Sequence, residues 1–191
     1  MRRALGLAVV LAALLPAQAR AVVGGANAPQ GSAPYVVAVL TGGAGEAWER
    51  VACGGTVVAP RAVLTAAHCV RAAGAKAEVL VGRTNLLDRR GRRIRVTAAE
   101  MHPRFDRHSL RNDVAVLTLA DAAPVAPVGL VAPGQEALWA PGAHATVLGW
   151  GALAEGQRSQ TAWLQAGEVA IAGDAACSPD PSVLCAGGAV L

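Results

Sequence analysis

After its first twenty-one residues the chain settles into short apolar runs of strand length, separated by polar turns. The runs are residues 35–40 (YVVAVL), 51–58, 62–65, 78–81, 94–98, 114–119 (VAVLTL), 145–148 and 162–170. Glycine, proline, asparagine and aspartate fill the gaps, as at Gly42-Gly43, Pro133-Gly134 and Pro141-Gly142. Short runs bounded in this way predict strands, and strands in such close succession predict an all-β barrel or sandwich. The stretch 121–133 (DAAPVAPVGLVAP) reads as a connector between two sub-structures. No internal repeat and no glycine-rich phosphate loop interrupts the pattern.

The first twenty-one residues follow a different rule. Arg2 and Arg3 precede an uncharged, almost wholly apolar run of twelve residues, 4–15, which Pro16 breaks before a set of small residues. That is the layout of a cleavable export signal, and so short a run cannot span a hydrocarbon core of ~30 Å. Ala19-Arg20-Ala21 offers a cleavage site, so residues 1–21 are expected to be a signal peptide and Val22 the mature N-terminus. The product is expected to be secreted, with no membrane attachment once the signal is gone.

Composition sharpens this picture. The chain has 191 residues, 53% of them hydrophobic, enough for a sizeable core in one domain. Aromatics are only 3%, so small and β-branched side chains must fill that core. The formal charge of +4 includes Arg2, Arg3 and Arg20, which leaves residues 22–191 near +1. That balance does not suggest a nucleic-acid partner. In an exported chain four cysteines read as disulfides, with three pairings open. No CxxC spacing occurs, and structural zinc is not expected.

The most informative stretch is 53–69, CGGTVVAPRAVLTAAHC. A strand bearing Cys53 leads through a Pro-Arg turn into a second strand, which delivers His68 beside Cys69. A general base must be held within hydrogen-bond reach of its nucleophile, and a disulfide here would hold the segment carrying His68 in place. The second piece is Asn112-Asp113 directly before a hydrophobic strand, which puts a carboxylate at the strand's mouth. There it could accept the Nδ1 proton of His68, fixing the tautomer and stabilising the imidazolium.

Together with VVGG at 22–25 and LGWG at 148–151, the strings GGTVVAPRAVLTAAHC and NDVAVLTL resemble the landmarks of the chymotrypsin/trypsin family of serine proteases, in that family's order. The resemblance covers 22–191. It implies an all-β, chymotrypsin-like architecture of two six-stranded antiparallel barrels, the second incomplete in this chain. The first barrel would occupy about 22–125 and the partial second about 134–191. It implies a secreted serine-type endopeptidase in which His68 is the general base and Asp113 its orienting partner. It further implies pairings Cys53–Cys69 and Cys177–Cys185, and a Val22 amine that orders the substrate pocket. Polypeptide substrates and proteinaceous inhibitors would be the partners of a monomer, and no metal or organic cofactor enters the reaction.

The third member of the triad is missing. The family places its serine in a Gly-Asp-Ser-Gly-Gly string a short way after Cys-Ala-Gly, whereas here Cys185-Ala186-Gly187-Gly188 is followed by three residues. Ser178 and Ser182 precede Cys185 in a proline-rich loop without flanking glycines. The expectation is a fragment whose gene continues, inactive as given and poorly folded by itself. Ala145 stands where many relatives carry a disulfide cysteine, and Arg83 where calcium-binding relatives supply a carboxylate. The loop after Arg83 reads DRRGRRIR, so calcium is not expected there. Arg89, Arg90, Arg92, Arg93 and Arg95 support the alternative of a non-catalytic binder of anionic surfaces or polyanions on a protease fold. His102 and His108 are read as surface histidines.

Overall fold

The computed structural model describes residues 25–152, 160–173 and 183–189. The described strands are β1 (Ala26–Asn27), β2 (Val36–Leu40), β3 (Val51–Ala59), β4 (Ala62–Thr65), β5 (Glu78–Val81), β6 (Arg92–Met101), β7 (Ala115–Leu119), β8 (His144–Gly149), β9 (Gln165–Ile171) and β10 (Ala186–Ala189). A seven-residue helix, α1 (Ala67–Ala73), follows β4. Short 3-10 turns lie at Ala47–Arg50 and Glu136–Trp139.

Six strands close into an antiparallel barrel in the order β2-β3-β4-β7-β6-β5. Closure leaves no strand edge open in this half of the molecule. The interior is aliphatic: Val37, Val39, Val57, Val63, Val79, Val81, Ile94, Leu117 and Leu119 are buried together. This accounts for the scarcity of aromatics, since branched aliphatic side chains fill a narrow barrel on their own. Gly55 belongs to the same packing, because a Cβ there would stand 2.8 Å from Val63 Cγ1 and 3.2 Å from the Leu64 carbonyl oxygen.

Every residue of β2 is buried, and its two faces serve two cores. Val37 and Val39 enter the barrel, while Val36, Ala38 and Leu40 pack outward with Leu80, Leu86, Trp150 and Leu164. That outer core joins the barrel to a second sheet built on β9. β8 runs along one edge of β9 from His144↔Ala170 to Gly149↔Gln165. β1 and β10 share its other edge, at Ala26↔Ala166 and Ala186↔Ile171. Among the described residues this sheet stays open, an incomplete counterpart of the closed barrel. Trp150, from the LGWG string, is buried at the junction and donates its indole N–H to the Thr84 carbonyl at 3.1 Å.

Several element bounds differ from the pattern of apolar runs. β6 extends to Arg92 and Met101 because Ile94 lies in the core while its neighbours Arg93 and Arg95 face out, and strand backbone continues under charged residues. β9 begins at Gln165, since Trp163 is taken up in a bridge to Asn85. β1 and β10 carry too few apolar residues to announce themselves, and the small residues of α1 suit helix and loop equally. Among the described residues no helix is long and apolar enough to cross a membrane.

Candidate functional site

Strand register brings the two chemical landmarks together. β4 and β7 pair from Ala62↔Thr118 to Thr65↔Ala115. Continuing that register by two residues sets Ala67 opposite Asp113, and His68 follows at once. A pair 45 residues apart in sequence thus meets at one end of two hydrogen-bonded strands.

Each partner is fixed locally. On the histidine side, the chain leaves β4 through Ala66 in extended conformation and enters α1 without a side-chain cap. So short a helix cannot hold itself. The Cys53–Cys69 disulfide anchors it to β3, with Cα atoms 5.8 Å apart. Thr65 Oγ1 adds a hydrogen bond to the Gly54 carbonyl at 2.8 Å, tying the end of β4 to the same strand. On the aspartate side, Asn112 turns the backbone at φ 55°, a left-handed conformation that asparagine adopts more readily than most residues. Its side-chain amide donates to the Arg104 carbonyl at 2.9 Å, holding the turn that aims Asp113. The sequence marks Asn112 only as the neighbour of Asp113, and its part in holding the turn emerges from the structure.

Asp113 grips His68 twice. Oδ2 accepts from Nδ1 at 2.6 Å, and Oδ1 accepts from the His68 backbone N–H at 2.9 Å. Partial burial pushes the carboxyl upward. The hydrogen bonds from the His68 ring and backbone, its charge and the Ala67 N–H outweigh that effect and hold Asp113 below the ordinary carboxylate range. The assignment of the proton to Nδ1 follows from this pairing, since a carboxylate can only accept. Nε2 is left as the acceptor, on a side chain that is 53% exposed.

Nε2 lies 3.4 Å from Cys69 Sγ and 3.9 Å from Cys53 Sγ. These three atoms are close enough to suggest a metal cluster. The two sulfurs are bonded to each other, however, so no thiolate is available to a metal. Among the described residues no hydroxyl hydrogen-bonds to Nε2. Asp113 also lines a cavity of about 540 Å³ between the barrel and β8, with Tyr35, Leu64, Thr65, Thr146 and Leu148. A second cavity, of about 370 Å³, lies between α1 and β6. Its lining is mostly apolar, with Arg71 its one ionisable side chain, and it offers no comparable chemistry.

Other residues singled out by sequence fall as follows. Val22, Cys177, Ser178 and Ser182 lie outside the described residues, and with them the pairing of Cys177 with Cys185. Cys185 itself is buried at the start of β10. Arg83 turns into its own loop, donating from Nε to the Arg90 carbonyl at 2.6 Å and from Nη1 to the Leu86 carbonyl at 3.2 Å. His102 Nδ1 accepts from the Arg104 N–H at 3.2 Å, and exposed His108 accepts from Arg107 Nε at 3.2 Å.

Known proteins resemble this chain in sequence and in fold. A family model described as Trypsin matches residues 22–190. A trypsin of Saccharopolyspora erythraea is 38% identical over 157 residues, 82% of this chain and 66% of that protein. Glucanase inhibitor protein 3 of Phytophthora sojae is 32% identical over 176 residues, 87% of this chain and 65% of the relative. The chain therefore spans just under two thirds of the length of these relatives. Among solved structures, the Vibrio cholerae VesB protease superposes with a TM-score of 0.74 at 28% identity, covering 85% of this chain and 52% of that one.

Proposed function

Because the chain belongs to the trypsin family, we propose that it carries the base-and-carboxylate half of a secreted serine endopeptidase site, with His68 as general base and Asp113 as its orienting partner. The observation that supports this most strongly is the double hold of Asp113 on His68, at 2.6 Å to Nδ1 and 2.9 Å to the backbone N–H. One such bond could be incidental. Two from one carboxylate fix both the ring's position and its tautomer.

In the proposed reaction a serine hydroxyl attacks a peptide carbonyl while Nε2 takes its proton. Asp113 stabilises the imidazolium, which returns the proton to the leaving amine. Water, deprotonated by the same Nε2, then releases the acyl group. No metal or organic cofactor is needed in these steps. None of the chain's own serines stands between glycines, the setting in which the family presents its nucleophile. The hydroxyl that completes the site is therefore assigned to none of them. Residues 1–21 would direct export, and a free Val22 amine would mark the mature chain. Polypeptides are the substrates of this reading and proteinaceous inhibitors its natural ligands.

A second, non-catalytic reading draws on the likeness to a protein named for inhibiting a glucanase. A scaffold that only binds has no use for a carboxylate locked on an exposed imidazole, so the hydrolytic reading is preferred. A fluorophosphonate probe, which reacts with activated serines, tests the assignment. The chain of 191 residues is expected to stay unlabelled. Stoichiometric labelling mapped to Ser178 or Ser182 would overturn this account of the site.

A further inference from the structure

The hydrolytic reading leaves the chain's strongest charge imbalance unused. Residues 83–95 carry six arginines and one aspartate, a formal +5. The rest of 22–191 carries eight basic against twelve acidic residues, a formal −4. Thirteen residues thus hold an excess of positive charge on a chain that is otherwise acidic.

The fold presents that charge on a fixed wall. Gly91 turns at φ +83°, and a Cβ there would stand 2.5 Å from the Val81 carbonyl oxygen, so only glycine closes the loop into β6. Arg83 staples the loop from within through the Arg90 and Leu86 carbonyls. Burial, and after it the neighbouring Arg93, lowers the Arg83 pKa, with Asp88 and Glu46 acting in the opposite sense. The positive charge of Arg93 is thus felt at Arg83, at the base of the wall. Arg89, Arg90, Arg92, Arg93 and Arg95 are all exposed. Ile94 enters the barrel core, so Arg93 and Arg95 flank it on the outer face, about 7 Å apart along the strand.

Little on the protein neutralises these groups. Arg90 meets Asp88 at 3.3 Å and Arg92 meets Asp121 at 2.9 Å, exposed pairs of the kind that exchange readily. Arg93 reaches only the Gly45 carbonyl, at 3.4 Å. Arg89 and Arg95 make no side-chain hydrogen bond or ion pair with any described residue. The segment contains no aromatic residue, and of its large apolar side chains only Leu87 is exposed. Protein interfaces centre on aromatic or apolar anchors, and single-stranded nucleic acid calls for aromatic stacking platforms. Neither is present here.

We propose that this wall, Arg89 to Arg95 with Arg83 at its base, is a docking site for a linear sulfated polysaccharide. Guanidinium forks suit the tetrahedral oxyanions of sulfate, and a polymer satisfies several neighbouring forks at once. None of these arginines takes part in the hydrogen bonds joining His68 to Asp113, so the site is tested without any activity assay.

Immobilised heparin is the probe, applied to the whole chain, with unsulfated hyaluronan, single-stranded DNA and polyglutamate as competitors. Binding is expected to weaken steeply with salt. Joint replacement Arg89→Ala, Arg93→Ala and Arg95→Ala is expected to lower affinity at least about tenfold and to flatten the salt dependence. A control triple at exposed sites elsewhere, Arg71→Ala, Arg104→Ala and Arg107→Ala, is expected to stay within about twofold, since it removes equal net charge but no contact. Each single replacement in the wall is expected to lose a part of the affinity, which keeps the test open if the triple misfolds. Equal losses in the two triples, or none in either, would overturn the site. Competition by DNA or polyglutamate at lower concentration than by free heparin would overturn the choice of ligand.

Discussion

Asp113 is the residue on which the site turns, because one carboxylate orders both the backbone and the ring of His68. An unfolded aspartate titrates near 3.9, and the folded carboxyl lies lower, burial being outweighed by the hydrogen bonds from His68. The native state thus binds the proton less readily than the unfolded state. Its tether is fully stabilising above about 3.9 and is lost as pH falls through the lower, folded midpoint. In a carboxyl-carbon NMR titration Asp113 is expected to show that depressed midpoint, and His68→Ala is expected to raise it. A midpoint unmoved by His68→Ala would mean that the imidazole does not hold the carboxyl. Both residues were legible in sequence, since each sits in a string of distinctive composition. The part Asn112 plays was not, because a left-handed backbone conformation leaves only a statistical preference in the residue type.

Among the elements, α1 depends most on its surroundings. It has seven residues, no side-chain cap at its start, and one covalent tie, the disulfide from Cys69 to β3. The bridge closes a loop of about 17 residues, worth roughly 3 kcal/mol in chain entropy. Cys53→Ser with Cys69→Ser is expected to cost about that much in urea unfolding. The double replacement is also expected to broaden the His68 resonances as the helix frays. Unchanged stability would show that β3 and β4 hold α1 by packing alone. The strands of the barrel were readable because their apolar runs are strand-length and bounded by turn residues. The true extent of β6 was hidden by its arginines, and α1 by a composition that suits helix and loop equally. β1 spans two residues and β10 runs Ala-Gly-Gly-Ala, so neither has side chains that would mark a strand.

At the scale of the molecule, a closed barrel carries the histidine and the aspartate, and an open sheet packs against it through Leu40, Leu80, Trp150 and Leu164. Composition foretold the barrel's aliphatic core, and the ordered landmarks foretold the family. Sequence pattern could not foretell that β2 serves two cores, which depends on what covers its outer face. The cavity between barrel and sheet, with Asp113 in its wall, is where the proposed chemistry would gather its remaining parts. The most direct test joins this chain at Leu191 to the serine-bearing segment of a family member and measures peptide hydrolysis. Hydrolysis is expected, with Asp113→Asn lowering kcat by about 10⁴-fold and His68→Ala by about 10⁶-fold. A joined chain that hydrolyses peptides as fast with His68→Ala as without it would contradict the assignment of His68 as the general base.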